Sequence, residues 1–162
     1  MFDIGSALIV AMIFGIIILP IVIYNLLKKR KHSKFRKDFI KLAESEKVVI
    51  SKKEIWNHCY AICIDEEAKK ILYAIKRADK IDKTLIDLAS VESCRIANLS
   101  KTIKNQDGKP NVSDRLELVI RPRNSGNPEQ LLEFYDSKEF MPSPDDVSRA
   151  EKWLNIVTSN LK

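Results

Sequence analysis

Glycine is scarce in this chain: four in 162 residues, at positions 5, 15, 108 and 126. So spaced, they build neither a G-x-G-x-x-G turn nor a phosphate-cradling loop, since both need clustered glycines for close backbone approach. Histidine is scarcer still, with only His32 and His58. The three cysteines, Cys59, Cys63 and Cys94, are odd in number and contain no C-x-x-C. That argues against a disulfide framework and suits a reducing compartment. If 58–63 is extended, Cys59 and Cys63 point to one side and His58 to the other, so three zinc ligands do not converge. The expected role of these thiols is that of small buried hydrophobes. No serine lies in G-x-S-x-G. Asp145 and Asp146 resemble a carboxylate pair, yet a helix N-terminus accounts for both. The expectation is therefore a protein that is not an enzyme and uses no cofactor and no metal. The alternative is an enzyme with an unrecognised site drawing on Cys59, Cys63 or His58.

Charge is also missing where it is most telling. Ile4 to Leu27 holds no charged residue. As a helix rising about 1.5 Å per residue, it is long enough to cross a hydrocarbon core of roughly 30 Å. A signal peptide would carry a basic start and a small-residue cleavage site, whereas here the start carries Asp3 and the stretch ends Tyr24-Asn25-Leu26-Leu27. Seven basic residues follow: Lys28, Lys29, Arg30, Lys31, Lys34, Arg36 and Lys37. Cations beside an apolar span favour the cytoplasmic side and attract anionic lipid. The expected layout is a short extracytoplasmic N-terminus (1–3), a transmembrane helix (4–27), a basic juxtamembrane helix (28–47) and a cytoplasmic β-rich domain (48–162). The expected location is the cell membrane, single-pass, with the N-terminus outside. The seven cations are the expected membrane-surface residues, and the lipid bilayer is the first expected partner.

The remaining charge is balanced. Of 28 Lys+Arg and 22 Asp+Glu, seven bases lie in 28–37 and one acid is Asp3, so the other 21 of each cancel. The net charge of +6 thus belongs to the membrane flank. A nucleic-acid binder would carry a basic face within its fold, and none is expected here. Within 28–47, Phe35, Phe39 and Leu42 share a helical stripe, with Ala43 beside it.

From Val48 the pattern turns extended. Val48-Val49-Ile50 is a short β-prone run. Tyr60 to Ile64 is apolar on both parities, which suits a strand covered on both faces. Asp65 to Lys70 is a polar connection to a second strand holding Ile71, Tyr73 and Ile75, so the pair reads as a hairpin. Two more extended pieces lie between Thr84 and Ala97, with a bend at Ala89-Ser90. Residues 100–113 are rich in turn formers. Leu116, Leu118 and Ile120 alternate with polar neighbours, and Gln130 to Tyr135 reads as a strand with Leu132 and Phe134 inward and Glu133 outward. Ser143, Pro144, Asp145 and Asp146 announce a helix start. Val147, Ala150, Leu154, Val157 and Leu161 then form an apolar stripe flanked by Trp153, leaving Ile156 off it.

The stretches Asp87-Leu88-Ala89-Ser90-Val91, Leu132-Glu133-Phe134-Tyr135-Asp136 and Ala150-Glu151-Lys152-Trp153, in this order, resemble parts of the pleckstrin-homology-like fold. Small bacterial single-pass membrane proteins with such a domain are similar in layout. The resemblance covers about Val48 to Lys162 and implies an α+β fold: a transmembrane helix, then an antiparallel sheet or partial barrel closed by a C-terminal amphipathic helix. Only five or six strands are legible where that fold has seven. Its phosphoinositide-binding members cluster Lys and Arg around the first hairpin loop; Asp65 to Lys70, read as that loop, holds three acids beside two lysines. The implied role is a non-catalytic interaction domain that binds a protein partner or the inner membrane surface.

Overall fold

The computed structural model describes residues 18–20, 22–24, 34–78, 80–99, 114–141 and 143–161. The chain divides into two compact units, Met1–Lys41 and Leu42–Lys162. In the first unit, 18–20, 22–24 and 34–41 are helical. Phe35 and Phe39 are buried there, while Lys34, Arg36 and Lys37 are exposed. The helix over 34–45 (α1) runs on into the second unit, where Val48 N–H donates to the Ala43 carbonyl at 2.9 Å and ends the turn.

The second unit carries, among its described residues, seven strands and a C-terminal helix. The strands are β1 (Lys52–Trp56), β2 (Tyr60–Asp65), β3 (Lys70–Arg77), β4 (Lys80–Asp87), β5 (Val91–Leu99), β6 (Arg115–Pro122) and β7 (Gln130–Asp136), and the helix is α2 (Pro144–Asn160). They form two antiparallel meanders, β1-β2-β3-β4 and β5-β6-β7. The break between the sheets is a 3₁₀ turn at Leu88–Ser90. Asp87 caps it by accepting the Ala89 N–H at 3.0 Å, and Ser90 Oγ donates back to the Asp87 carbonyl at 2.7 Å. These local bonds compete with the ladder and turn the chain out of the first sheet.

Two corrections to the expected fold follow. The strands form two sheets, not a single sheet or partial barrel. Among the described residues, no helix is long and apolar enough to cross a membrane. The 34–45 helix is interrupted by charge every turn, and α2 carries a full polar face. The transmembrane helix expected at 4–27 is thus not supplied by any described helix; all of that stretch but 18–20 and 22–24 lies outside the described residues, as does the turn-rich 100–113.

The core lies between the sheets. Tyr60, Ile62 and Ile64 of β2 and Ile71, Tyr73 and Ile75 of β3 join Leu118 and Ile120 of β6 and Leu132 and Phe134 of β7. The opposite parity of β2 and β3, namely Ala61, Cys63, Leu72 and Ala74, is also fully buried, as the double apolar pattern predicts. Helix α2 packs on β5, β6 and β7. Its start is a capping box: Ser143 Oγ accepts the Asp145 N–H at 3.3 Å, and the Ser143 N–H donates to Asp146 Oδ2 at 2.9 Å. Its buried stripe is Asp146, Ala150, Trp153 and Val157, rotated from the expected one. Val147 is exposed, and Ile156 joins Leu154 and Leu161 at the edge of the core.

Strand β1 begins at Lys52, after Val48-Val49-Ile50, which is not a strand. The first hairpin turn is therefore Asn57-His58, not Asp65 to Lys70. Asn57 (φ 49°) and His58 (φ 61°) are both left-handed, and Cys59 N–H reaches the Trp56 carbonyl at 3.3 Å. The two successive positive φ values reverse the chain within the three-residue connection Asn57-His58-Cys59 that the Trp56–Tyr60 pairing leaves.

Candidate functional site

Polar side chains converge at two places in the second unit. The first centres on Glu133 of β7. A register shift between Leu116 and Glu117 inserts an extra residue into β7, so its face alternation breaks and Glu133 is buried along with Phe134 and Tyr135. The expectation that Glu133 points outward is thereby corrected. Tyr60 Oη donates to Glu133 Oε1 at 2.6 Å, while Arg77 and Arg115 donate to Oε2 at 3.1 and 2.9 Å. Tyr73 Oη donates to the Glu133 carbonyl at 2.6 Å. Arg115 also pairs with Glu117 at 3.2 Å. Burial together with the Glu133 carboxylate pushes the Tyr60 phenol well above its ordinary range, and burial does the same to Tyr73. Both phenols stay protonated and act as donors that tie the four-stranded sheet to the three-stranded one.

The second place is Glu54 of β1. Its carboxylate accepts Arg149 Nε at 3.0 Å, Lys152 Nζ at 2.8 Å and Trp153 Nε1 at 3.0 Å, all from α2. Burial raises the Glu54 carboxyl, but the bonds from Lys152, Trp153 and Arg149 outweigh it and hold the group below the usual carboxylate range. The Arg149 guanidinium also lies 5.3 Å over the Trp56 ring. Trp56 in turn stacks on Tyr60 and Phe134 and donates Nε1 to the Phe134 carbonyl at 3.0 Å. Both centres thus pair their charges internally and join sheet to sheet or sheet to helix.

The sequence-predicted thiols do not come together. The turn at Asn57-His58 breaks the expected alternation, so Cys59 joins the inter-sheet core while Cys63 faces the other side of β2. His58 is exposed at the turn itself. Burial pushes the Cys59 thiol up to about 12, helped by the Glu139 and Glu133 carboxylates. Burial likewise pushes Cys63 up to about 11 and Cys94 up to about 12. A nucleophilic cysteine needs the opposite environment, with cations or a helix N-terminus favouring thiolate. Among the described residues, no group of three His, Cys, Asp or Glu side chains is placed to hold a metal ion.

Of the seven predicted membrane-surface cations, Lys34, Arg36 and Lys37 are exposed on the 34–45 helix; Lys28, Lys29, Arg30 and Lys31 lie outside the described residues.

Sequence reasoning missed a cleft of about 280 Å³ between the end of β4 and the end of the three-stranded sheet. Ile86, Val91 and Ile120 form its apolar floor, and Leu85, Asp87 and Gln130 stand at its rim. The one signal available beforehand was Leu85, an apolar residue on the face parity opposite to Ile86. No protein-family model matches the chain, and no curated protein or solved structure matches it significantly.

Proposed function

We propose that this chain is a non-catalytic interaction domain, held on the cytoplasmic face of the cell membrane, and that its principal ligand is a protein. One observation carries the reading: the convergent ionisable groups of the domain, Glu133 with Arg77 and Arg115, and Glu54 with Arg149 and Lys152, are paired with one another across structural seams. Membrane association is supported by the uncharged stretch Ile4 to Leu27 and the cations from Lys28 to Lys37, which suit anionic lipid. A pleckstrin-homology-like reading of the domain is supported by sheets of four and three strands followed by α2.

The competing enzyme reading makes a thiol or His58 the reactive group, and alkylation separates the two. In the folded chain, iodoacetamide should modify Cys59, Cys63 and Cys94 at least about a hundredfold more slowly at pH 7 than in the urea-unfolded chain. The sign follows from the raised pKa values. Thiolate is the reactive form and all three thiols titrate near 11 to 12, so rates should still be climbing at pH 9. A thiol that reacts faster than a free cysteine at pH 7, with a midpoint below 8, would remove the non-catalytic reading.

A further inference from the structure

The cleft beside β4 has three properties that together specify a ligand. First, it lies at a strand edge. Its lining takes Ile86 from one face of β4 and Leu85 and Asp87 from the other, which places it alongside the strand and not on one side of the sheet. Among the described residues, β4 pairs only with β3. Leu88 N–H bonds to the Lys69 carbonyl at 2.8 Å, so with Lys70 opposite Asp87 and Leu72 opposite Leu85, the alternation of an antiparallel ladder fixes the rest. Ile86 exchanges main-chain bonds with β3, whereas the N–H and C=O groups of Leu85 and the N–H of Asp87 point away from it; the Asp87 carbonyl is taken by Ser90 Oγ. The Leu85 groups and the Asp87 N–H are a template for one more strand.

Second, the floor is apolar and small. Ile86, Val91 and Ile120 are at most 5% exposed. The volume, about 280 Å³, falls just short of the roughly 300–1,000 Å³ of small-molecule sites and suits one large aliphatic or aromatic side chain. Third, Asp87 is the one ionisable group among the lining residues, with Lys70 opposite it on β3 and Arg123 bonded to the Val91 carbonyl beside it; its carboxylate favours a cationic neighbour on the ligand.

We infer that this cleft docks an extended segment of a protein partner, which adds to the β4 edge at Leu85–Asp87, inserts one apolar side chain over Ile86, Val91 and Ile120, and places a basic residue beside Asp87. The inference rests on the protein-binding reading above and names its site.

The test uses the full chain in detergent micelles with isotope-labelled Ile, Leu and Val methyl groups. The probe is an acetylated hexapeptide of alternating valine and threonine, carrying one leucine and, two positions on, one arginine. Saturable shifts are expected at the Leu85, Ile86, Val91 and Ile120 methyls. Replacing the peptide arginine with glutamate should weaken binding about tenfold, and Asp87→Asn should weaken the arginine peptide about threefold, the range of exposed ion pairs. Asparagine keeps the oxygen that accepts the Ala89 N–H, so the turn is retained. Leu85→Glu, at a rim position 43% exposed, should abolish the shifts while leaving the remaining methyl spectrum in place. Several results would overturn the inference: no shifts at these methyls, shifts only near Ile96 and Ile156, or equal binding of the arginine and glutamate peptides. So would displacement of the peptide by glycerol phosphate, which would point to a lipid headgroup. If the peptide fails while the thiols remain unreactive, the cleft assignment falls and the interaction-domain reading stands.

Discussion

Trp153→Ala should destabilise the domain by about 3–5 kcal/mol, the range for truncating a buried Trp. Trp153 is 1% exposed and sits in the middle of the buried stripe of α2. Its removal opens a void between the helix and the three-stranded sheet, and Glu54 loses one of its three donors. The measurement is thermal unfolding of the chain followed by the fluorescence of Trp56, the remaining tryptophan. At about 4 °C per kcal/mol for a domain of this size, the midpoint should fall by roughly 12–20 °C. Trp153→Phe separates the two contributions. It keeps most of the apolar volume but loses the indole N–H and part of the ring, so a loss of about 1–2 kcal/mol is expected. Equal losses in the two variants would mean that the Glu54 bond, not the packing, fixes α2.

Glu133→Ala should also destabilise the domain, for a different reason. Arg77 and Arg115 are partly exposed and keep Glu139, Glu117 and Asp136 as partners, so screening limits the ionic loss, and the expected cost is about 1–3 kcal/mol, mainly from the buried Tyr60 hydroxyl left without its acceptor. Here Arg115 and Arg77 lose their shared acceptor and Tyr60 Oη loses its bond at 2.6 Å. Glu133→Gln retains an oxygen for Tyr60 but not the charge, and should cost about half as much. Removing the buried Tyr60 donor and its acceptor together is the more revealing comparison. Tyr60→Phe combined with Glu133→Leu should be less destabilising than Glu133→Ala alone, since no donor from Tyr60 is left buried without an acceptor. If Glu133→Ala shifts the midpoint by less than about 3 °C, the network is not what joins the two sheets.

How much of this was legible beforehand depended on whether a residue obeyed a local rule. The start of α2 was readable because capping is local: Ser143, Pro144 and Asp146 act within one turn. The double burial of β2 was readable because both parities of Tyr60 to Ile64 are apolar. Strand β1 was not, because Lys52-Lys53-Glu54 is polar and its pairing with β2 depends on the Asn57-His58 turn rather than on its own pattern. Glu133 was misplaced because the β7 bulge depends on its partner strand and leaves no mark in the period-2 pattern. The rotation of the α2 stripe toward Trp153 has a similar origin: Glu54, ninety-nine residues earlier, supplies the acceptor that lets the indole be buried. The division into two sheets follows from Asp87 capping the Leu88–Ser90 turn, where the sequence showed only a bend. The Glu133 centre draws on Tyr60, Arg77 and Arg115, residues far apart in the chain that no spacing rule connects.

The account depends most on where residues 42–162 are displayed. Reduced thiols at Cys59, Cys63 and Cys94 and the proposed protein partner on the anionic leaflet both require the cytoplasmic side. The direct measurement is protease accessibility of a C-terminal tag on the full chain, in intact cells and in sealed inverted membrane vesicles. The account predicts that the tag pellets with membranes, survives protease added to intact cells and is removed from inverted vesicles. Cleavage in intact cells, or recovery of the chain in the soluble fraction, would contradict it.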